Sequence, residues 1–243
     1  MPTRAASVSS SKSSPLKRLL PLILFLSACA DRSQMPPEQL GAGTFASYQC
    51  KQCHRVGYEG GDAGPDLTFA GVRKSKEFMA LWLKDPAAWQ PNTMMPNFHL
   101  NDDARANLAA YMASLKGELY RKGEAPWDKV KGDPVARGKE LFLRVGCVTC
   151  HGREGKGGYL NNNVKGSTVP SLFKVKEGFS KEELINKMKI GVRYPAKEDP
   201  QGPEPHLWMP AWGEVLRPDE LADLADYLIS LYPPELEGSD DDW

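Results

Sequence analysis

The chain has 243 residues, 41% of them hydrophobic, enough for ordinary globular cores and too few for a protein that crosses a membrane many times. Its formal charge is zero, but Arg4, Lys12, Lys17 and Arg18 all precede residue 29, and the remainder holds 27 basic against 31 acidic residues. No basic stripe survives there to neutralise phosphates, which argues against nucleic acid as a partner.

The chain starts with a Ser-rich stretch carrying Lys17 and Arg18, which runs into "LLPLILFLSAC" at 19–29. This apolar run is too short to span a bilayer as a stable helix, and residues 1–28 read as a secretory signal. The small residues directly before Cys29 resemble the lipobox of bacterial lipoproteins, where the cysteine is acylated and becomes the new N-terminus. An ordinary signal cut nearby, with Cys29 incidental, and an uncleaved membrane helix are the alternatives. The resemblance implies lipidation at Cys29 and a stable anchor to a bacterial membrane, facing the periplasm or the cell exterior, because two or more acyl chains hold where one does not. Residues 29–37 are then a tether.

Beyond the tether no segment sustains the apolar-polar alternation of a strand, and 42 Pro and Gly residues predict long loops, so helix is the expected regular element. "GAGTFASYQCKQCH" at 41–54 lies over "GKELFLRVGCVTCH" at 138–151 at a constant offset, pairing Gly41 with Gly138 and Phe45 with Phe142. Each copy predicts a short helix running into Cys-x-x-Cys-His. Paired cysteines in an exported protein suggest disulfides, but so small a loop leaves the following histidines unexplained. One zinc ion shared by Cys50, Cys53, Cys147 and Cys150 needs neither His54 nor His151. Cys-x-x-Cys-His is instead the attachment motif of c-type haem. Two thiols three residues apart add to the two vinyl groups of one porphyrin edge, and the adjacent His becomes the proximal iron ligand. Two covalent haem c groups are therefore expected, one on Cys50 and Cys53 with His54, one on Cys147 and Cys150 with His151.

Further along, "MPNF" at 95–98 precedes "LNDDARANLAAYMASL" at 100–115, and "MPAW" at 209–212 precedes "LRPDELADLADYLISL" at 216–231. Both longer stretches predict helices, with Leu108, Tyr111 and Leu115 matching Leu224, Tyr227 and Leu231 on one face, and Asp102, Asp103 and Asp219 placed at the positive N-termini. A thioether is a soft iron ligand, and Pro beside it keeps the segment extended, so Met95 and Met209 are the candidates for the sixth iron position. Core filling is the alternative for both. Met94, His99 and His206 compete, and the match of Met95-Pro96 with Met209-Pro210 selects Met95. Between the halves lies a segment rich in Gly, Pro and charge, in which Trp127 is a candidate to pack between them. The acidic end "PPELEGSDDDW" reads as disordered.

Together these residues resemble the class I c-type cytochromes in their two-domain dihaem form, over nearly all of residues 38–232. The resemblance implies an all-α fold of two tandem domains, 38–118 and 135–232, joined by a linker at 119–134 and followed by a tail at 233–243, with extended loops enclosing one haem each. In that family a Gly-Pro-x-Leu stretch lends a proline carbonyl to the proximal His. "GPDL" at 64–67 supplies Pro65, while "VPSL" at 169–172 keeps Pro170 and lacks the glycine. The second half is longer from Cys147 to Met209 than the first from Cys50 to Met95, and the excess falls in "VKGSTVP" and "YPAKEDPQGPEPHLW", expected over the second haem. The implied role is electron transfer between redox protein partners without catalysis, since His and Met leave no open iron position. The alternatives are a haem-bearing subunit of a respiratory or dehydrogenase complex and a dihaem peroxidase-like oxidoreductase.

Overall fold

The computed structural model describes Met1, residues 34–130 and residues 132–236. The signal, Cys29 and residues 237–243 of the acidic tail lie outside the described residues. The described residues from Met35 onward form one compact unit.

Six helices of eight or more residues build it among the described residues: α1 Pro37–Ser47, α2 Lys76–Lys84, α3 Asp102–Ser114, α4 Pro134–Leu141, α5 Lys181–Ile190 and α6 Pro218–Ser230. No strand occurs among the described residues, only isolated bridges, as the composition implies. The start signals are local. Ser75, Asn101 and Asp133 accept from backbone N–H groups in the first turns of α2, α3 and α4, and Ser180 with Glu183 forms a capping box on α5. Pro occupies the first turn of α1, α4 and α6, where its missing N–H costs nothing.

The internal repeat is physical. Helix α1 crosses α3, and α4 crosses α6, at one small residue each. A Cβ on Gly41 would sit 2.0 Å from the Asn107 carbonyl oxygen and 2.7 Å from Tyr111 Cβ; on Gly138 it would sit 2.0 Å from the Asp223 oxygen and 2.7 Å from Tyr227 Cβ. One turn on, Phe45 meets Tyr111 with ring centroids 5.5 Å apart at 59°, and Phe142 meets Tyr227 at 5.4 Å and 58°. Both sequence offsets are therefore satisfied by the same contact made twice. Each crossing carries its helix into one of the cysteine pairs.

One buried cluster gathers Phe45, Met79, Leu83, Leu100 and Leu108. A second gathers Leu141, Phe142, Val145, Leu224 and Trp212 and takes in Phe69, Tyr120 and Trp127. Residues 119–134, expected as a linker, thus contribute two fully buried aromatics, carried on short turns at Glu118–Arg121 and Pro126–Lys129. Trp127 packs at a tilt against Phe69 and edge-on against Tyr120, and donates its Nε1–H to Glu220 at 2.7 Å. Among the described residues no helix is long and apolar enough to cross a membrane.

Candidate haem sites

Each cysteine pair sits where a helix stops, and the stop is a backbone reversal. Gln49, before Cys50, and Gly146, before Cys147, occupy equivalent positions and both take positive φ, 56° and 90°. In the first half the chain then makes a tight turn over Cys50–Gln52; in the second a widened π turn over Phe142–Gly146 leads into a helical turn at Val148–His151. The outcome is the same. The His54 amide donates to the Cys50 carbonyl at 2.9 Å and the His151 amide to the Cys147 carbonyl at 3.0 Å, which folds each thiol pair and its histidine into one turn. All four described cysteines are free. Among the described residues no three His, Cys, Asp or Glu side chains converge as metal ligands, so the two pairs do not build one shared zinc cage.

The imidazoles are oriented alike. His54 Nδ1 lies 2.9 Å from the Pro65 carbonyl oxygen, and His151 Nδ1 lies 3.1 Å from that of Pro170. A carbonyl only accepts, so Nδ1 carries the proton and Nε2 keeps its lone pair free. Burial pushes both imidazoles below the ordinary value, against the raising effect of the proline carbonyls, which favours the neutral ring that can bind a metal. Close approach fixes the first ring further. A Cβ on Gly64 would lie 2.6 Å from the His54 ring, so the Gly of "GPDL" admits the imidazole. Burial pushes the Cys147 thiol up to about 12 and the Cys50 thiol above its usual value.

The two candidate thioethers differ in their contacts. Met95 packs against the first cluster and accepts a hydrogen bond from Trp82 Nε1 at 3.0 Å, while neighbouring Met94 is 85% exposed. Met209 packs against the second cluster and is held by a backbone bridge to Val192, with N–H to O distances of 2.8 and 3.2 Å. His99 is exposed, and His206 is occupied between the rings of Phe78 and Trp89.

The two extra loops of the second half clasp each other. Asn161 exchanges hydrogen bonds with the backbone of Leu207, Asn162 with Glu204 and His206, and Asn163 with Asp199 and Pro203, all at 2.7–3.0 Å. Three consecutive carboxamides so replace a sheet ladder, and they pin the chain that runs on to Pro170 against the chain that runs on to Met209. Sequence reasoning missed this clasp, although an uninterrupted Asn run ahead of a Pro-rich loop is its visible trace. It missed Arg73 as well. This guanidinium, 5% exposed, donates to the Asp66 carbonyl at 2.7 Å and the Gly146 carbonyl at 3.1 Å, so it links the loop after Pro65 to the residue before Cys147. On the surface Asp62 receives Arg55 and Arg144, from both halves, and Arg55 foremost holds its carboxyl down at about 2.

These donors fit haem c: two free thiols per turn, an imidazole with its outer nitrogen oriented and its inner nitrogen free, and a thioether on a partly buried loop in each half. Lys74 Nζ, against the faces of Phe78 and Tyr159, is buried with no hydrogen-bond partner.

The chain matches the Cytochrome c family over residues 39–116 and 135–232. It is similar to the Cbb3-type cytochrome c oxidase subunit CcoP of Helicobacter pylori, 28% identical over an alignment of 130 residues that covers 49% of this chain and 38% of that protein. A chain of the Kuenenia stuttgartiensis reducing HAO-like protein complex is 17% identical, covers 82% of this chain and all of its own length, and superposes with a TM-score of 0.28.

Proposed function

The chain belongs to the cytochrome c family, and from that premise we propose that it is a dihaem electron carrier. Cys50 and Cys53 hold one haem and Cys147 and Cys150 the other, with His54 and Met95, and His151 and Met209, as axial ligands. What supports this reading is the doubled geometry: in each half the His of Cys-x-x-Cys-His donates Nδ1–H to a proline carbonyl, Pro65 or Pro170. That bond fixes the ring plane and raises the basicity of the coordinating nitrogen. Bound haem supplies a redox-active iron. The chain's contribution is to fill both axial positions with ligands that stay the same in both oxidation states, to exclude substrate from the iron, and to hold two such sites in one compact unit. Redox proteins are the proposed donor and acceptor.

Two haems per chain should survive extraction with acid and acetone, and Cys147→Ala with Cys150→Ala should leave one. Two haems remaining after that change would refute the attachment. Met95→Ala and Met209→Ala should each open one iron, seen as a high-spin fraction and carbon monoxide binding; carbon monoxide binding by the unmodified protein would favour the peroxidase-like alternative.

We also propose that Cys29 is lipidated and holds the exported protein on a bacterial membrane. Cys29→Ser should release it, and retention that resists high salt would count against the lipid anchor. The match to CcoP favours a second reading, a haem-bearing subunit docked in a respiratory complex. Migration of the gently solubilised protein with a larger assembly would select it over the free carrier.

A further inference from the structure

Arg73 ends a short helical turn, Ala70–Arg73, that lies on the seam of the two cores, since Ala70 belongs to the first buried cluster and Phe69 to the second. Its guanidinium is buried and divides its terminal nitrogens between the halves. Nη2 donates to the Asp66 carbonyl at 2.7 Å, next in the chain to the Pro65 carbonyl that orients His54. Nη1 donates to the Gly146 carbonyl at 3.1 Å, directly ahead of Cys147, and the hydroxyl of Thr149, inside the second Cys-x-x-Cys, donates to that same oxygen at 2.8 Å. One side chain thus braces both the support of the first proximal histidine and the entry to the second thiol pair.

The charge counts as well as the bonds. A guanidinium keeps its proton in a protein, buried or not. Groups on both sides feel it: His54 in the first site, Cys147 and Cys150 in the second. Away from solvent the medium screens a charge weakly, so its reach is longer than at a surface. The nearby carboxylate is Asp66, whose oxygens are spent on the Thr68 amide, the Thr68 hydroxyl and the Tyr120 hydroxyl. We infer, resting on the dihaem reading, that Arg73 is a positioning residue shared by both haem sites and that its single positive charge holds both midpoint potentials up. A cation within reach of an iron's ligands disfavours the extra charge of the ferric state. Taking it away also leaves the Asp66 carboxylate uncompensated, which acts in the same direction. Neither potential can be tuned through this residue without the other.

The experiment is a redox titration of full-length holoprotein carrying Arg73→Gln, which keeps a donor and loses the charge, or Arg73→Lys, which keeps the charge and loses the fork. Arg73→Gln should lower both midpoints, and Arg73→Lys should leave both closer to the unmodified values than Arg73→Gln does. Any other pattern overturns the inference: a shift of one midpoint alone, no shift, a rise, or equal shifts in the two variants, which would assign the residue to packing alone. Should Arg73→Gln fail to load haem, unmodified protein labelled with nitrogen-15 arginine decides instead. A guanidinium signal protected from solvent exchange is expected to move in both redox steps as the haems are reduced one after the other. If no protected signal responds to both steps, the proposal falls. The haem count of the unmodified protein separates the two failures: fewer than two covalent haems sinks the dihaem reading and this inference together, whereas two haems with midpoints indifferent to Arg73 sink the inference alone.

Discussion

Gln49 and Gly146 do the same work with different side chains. Both turn the chain out of a helix into a cysteine pair at positive φ, a region where L-residues with a Cβ are strained and glycine is not. At Gly146 the requirement is doubled, because a Cβ there would fall 1.4 Å from the Arg73 guanidinium. Gly146→Ala should therefore destabilise the protein by about 2 kcal/mol or more and disturb the link between the halves, whereas Gln49→Gly should be neutral or stabilise by up to about 1 kcal/mol. Denaturant unfolding of both variants checks the contrast, and equal effects would refute it. At this scale the sequence was readable where chemistry is local. The register of the two Met-Pro pairs selected Met95, and the structure points Met94 outward and Met95 inward. Arg73 was not readable, since its meaning depends on a carbonyl 73 residues away that only the fold brings near.

The helices were legible as elements for the same local reasons. The stretches at 100–115 and 216–231 carry apolar residues three and four apart, and they fold as α3 and α6 within two residues of those limits. What the pattern did not announce is the segment between the halves. Its Gly, Pro and charge read as linker with Trp127 alone a candidate to pack, yet Tyr120 is buried in the second cluster beside Trp127 and Arg121 clamps α6. The clamp is Glu220, with no exposed side-chain surface, which receives both guanidinium nitrogens of Arg121 at 2.7 and 2.8 Å, the Trp127 N–H and the Arg217 amide. Removing one partner of a buried pair strands the other, so Glu220→Gln should cost about 3 kcal/mol, while replacing Glu220 and Arg121 together by Met should cost far less. Burial alone would raise this carboxyl, but Arg121, the Arg217 amide and Trp127 outweigh it and hold the value low. A depressed carboxyl contributes stability that is complete above the unfolded value of about 4.3 and is lost as pH falls through the folded one. The acid limb of a stability profile should accordingly flatten in Glu220→Gln. An unchanged limb would show that the buried pair does not titrate there.

For the whole molecule, the repeat gives two sites and the departures from the repeat make them unequal. Helix α2 and helix α5, each capped by a serine, are counterparts, and the halves part after them: a short helical turn at Pro86–Trp89 follows α2. In the second half the chain after α5 runs instead through the clasped loops, pinned by Asn161, Asn162 and Asn163 and leading into Pro170 and Met209. Exclusion of water is one of the protein's levers on a haem potential, because burial disfavours the extra charge of the ferric state. The clasp should therefore hold the second potential up, and loosening it should bring that potential down. Asn163→Ala removes three of its bonds, to Asp199 and Pro203, without touching a proposed ligand. The expected result is a fall in the second midpoint, faster carbon monoxide entry at the second iron if Met209 then swings free, and a first midpoint that stays where it was. A second midpoint indifferent to Asn163→Ala would mean that the loops brace the chain without governing water at the iron, and the inequality of the two sites would then rest on the first half, where Trp82 bonds Met95.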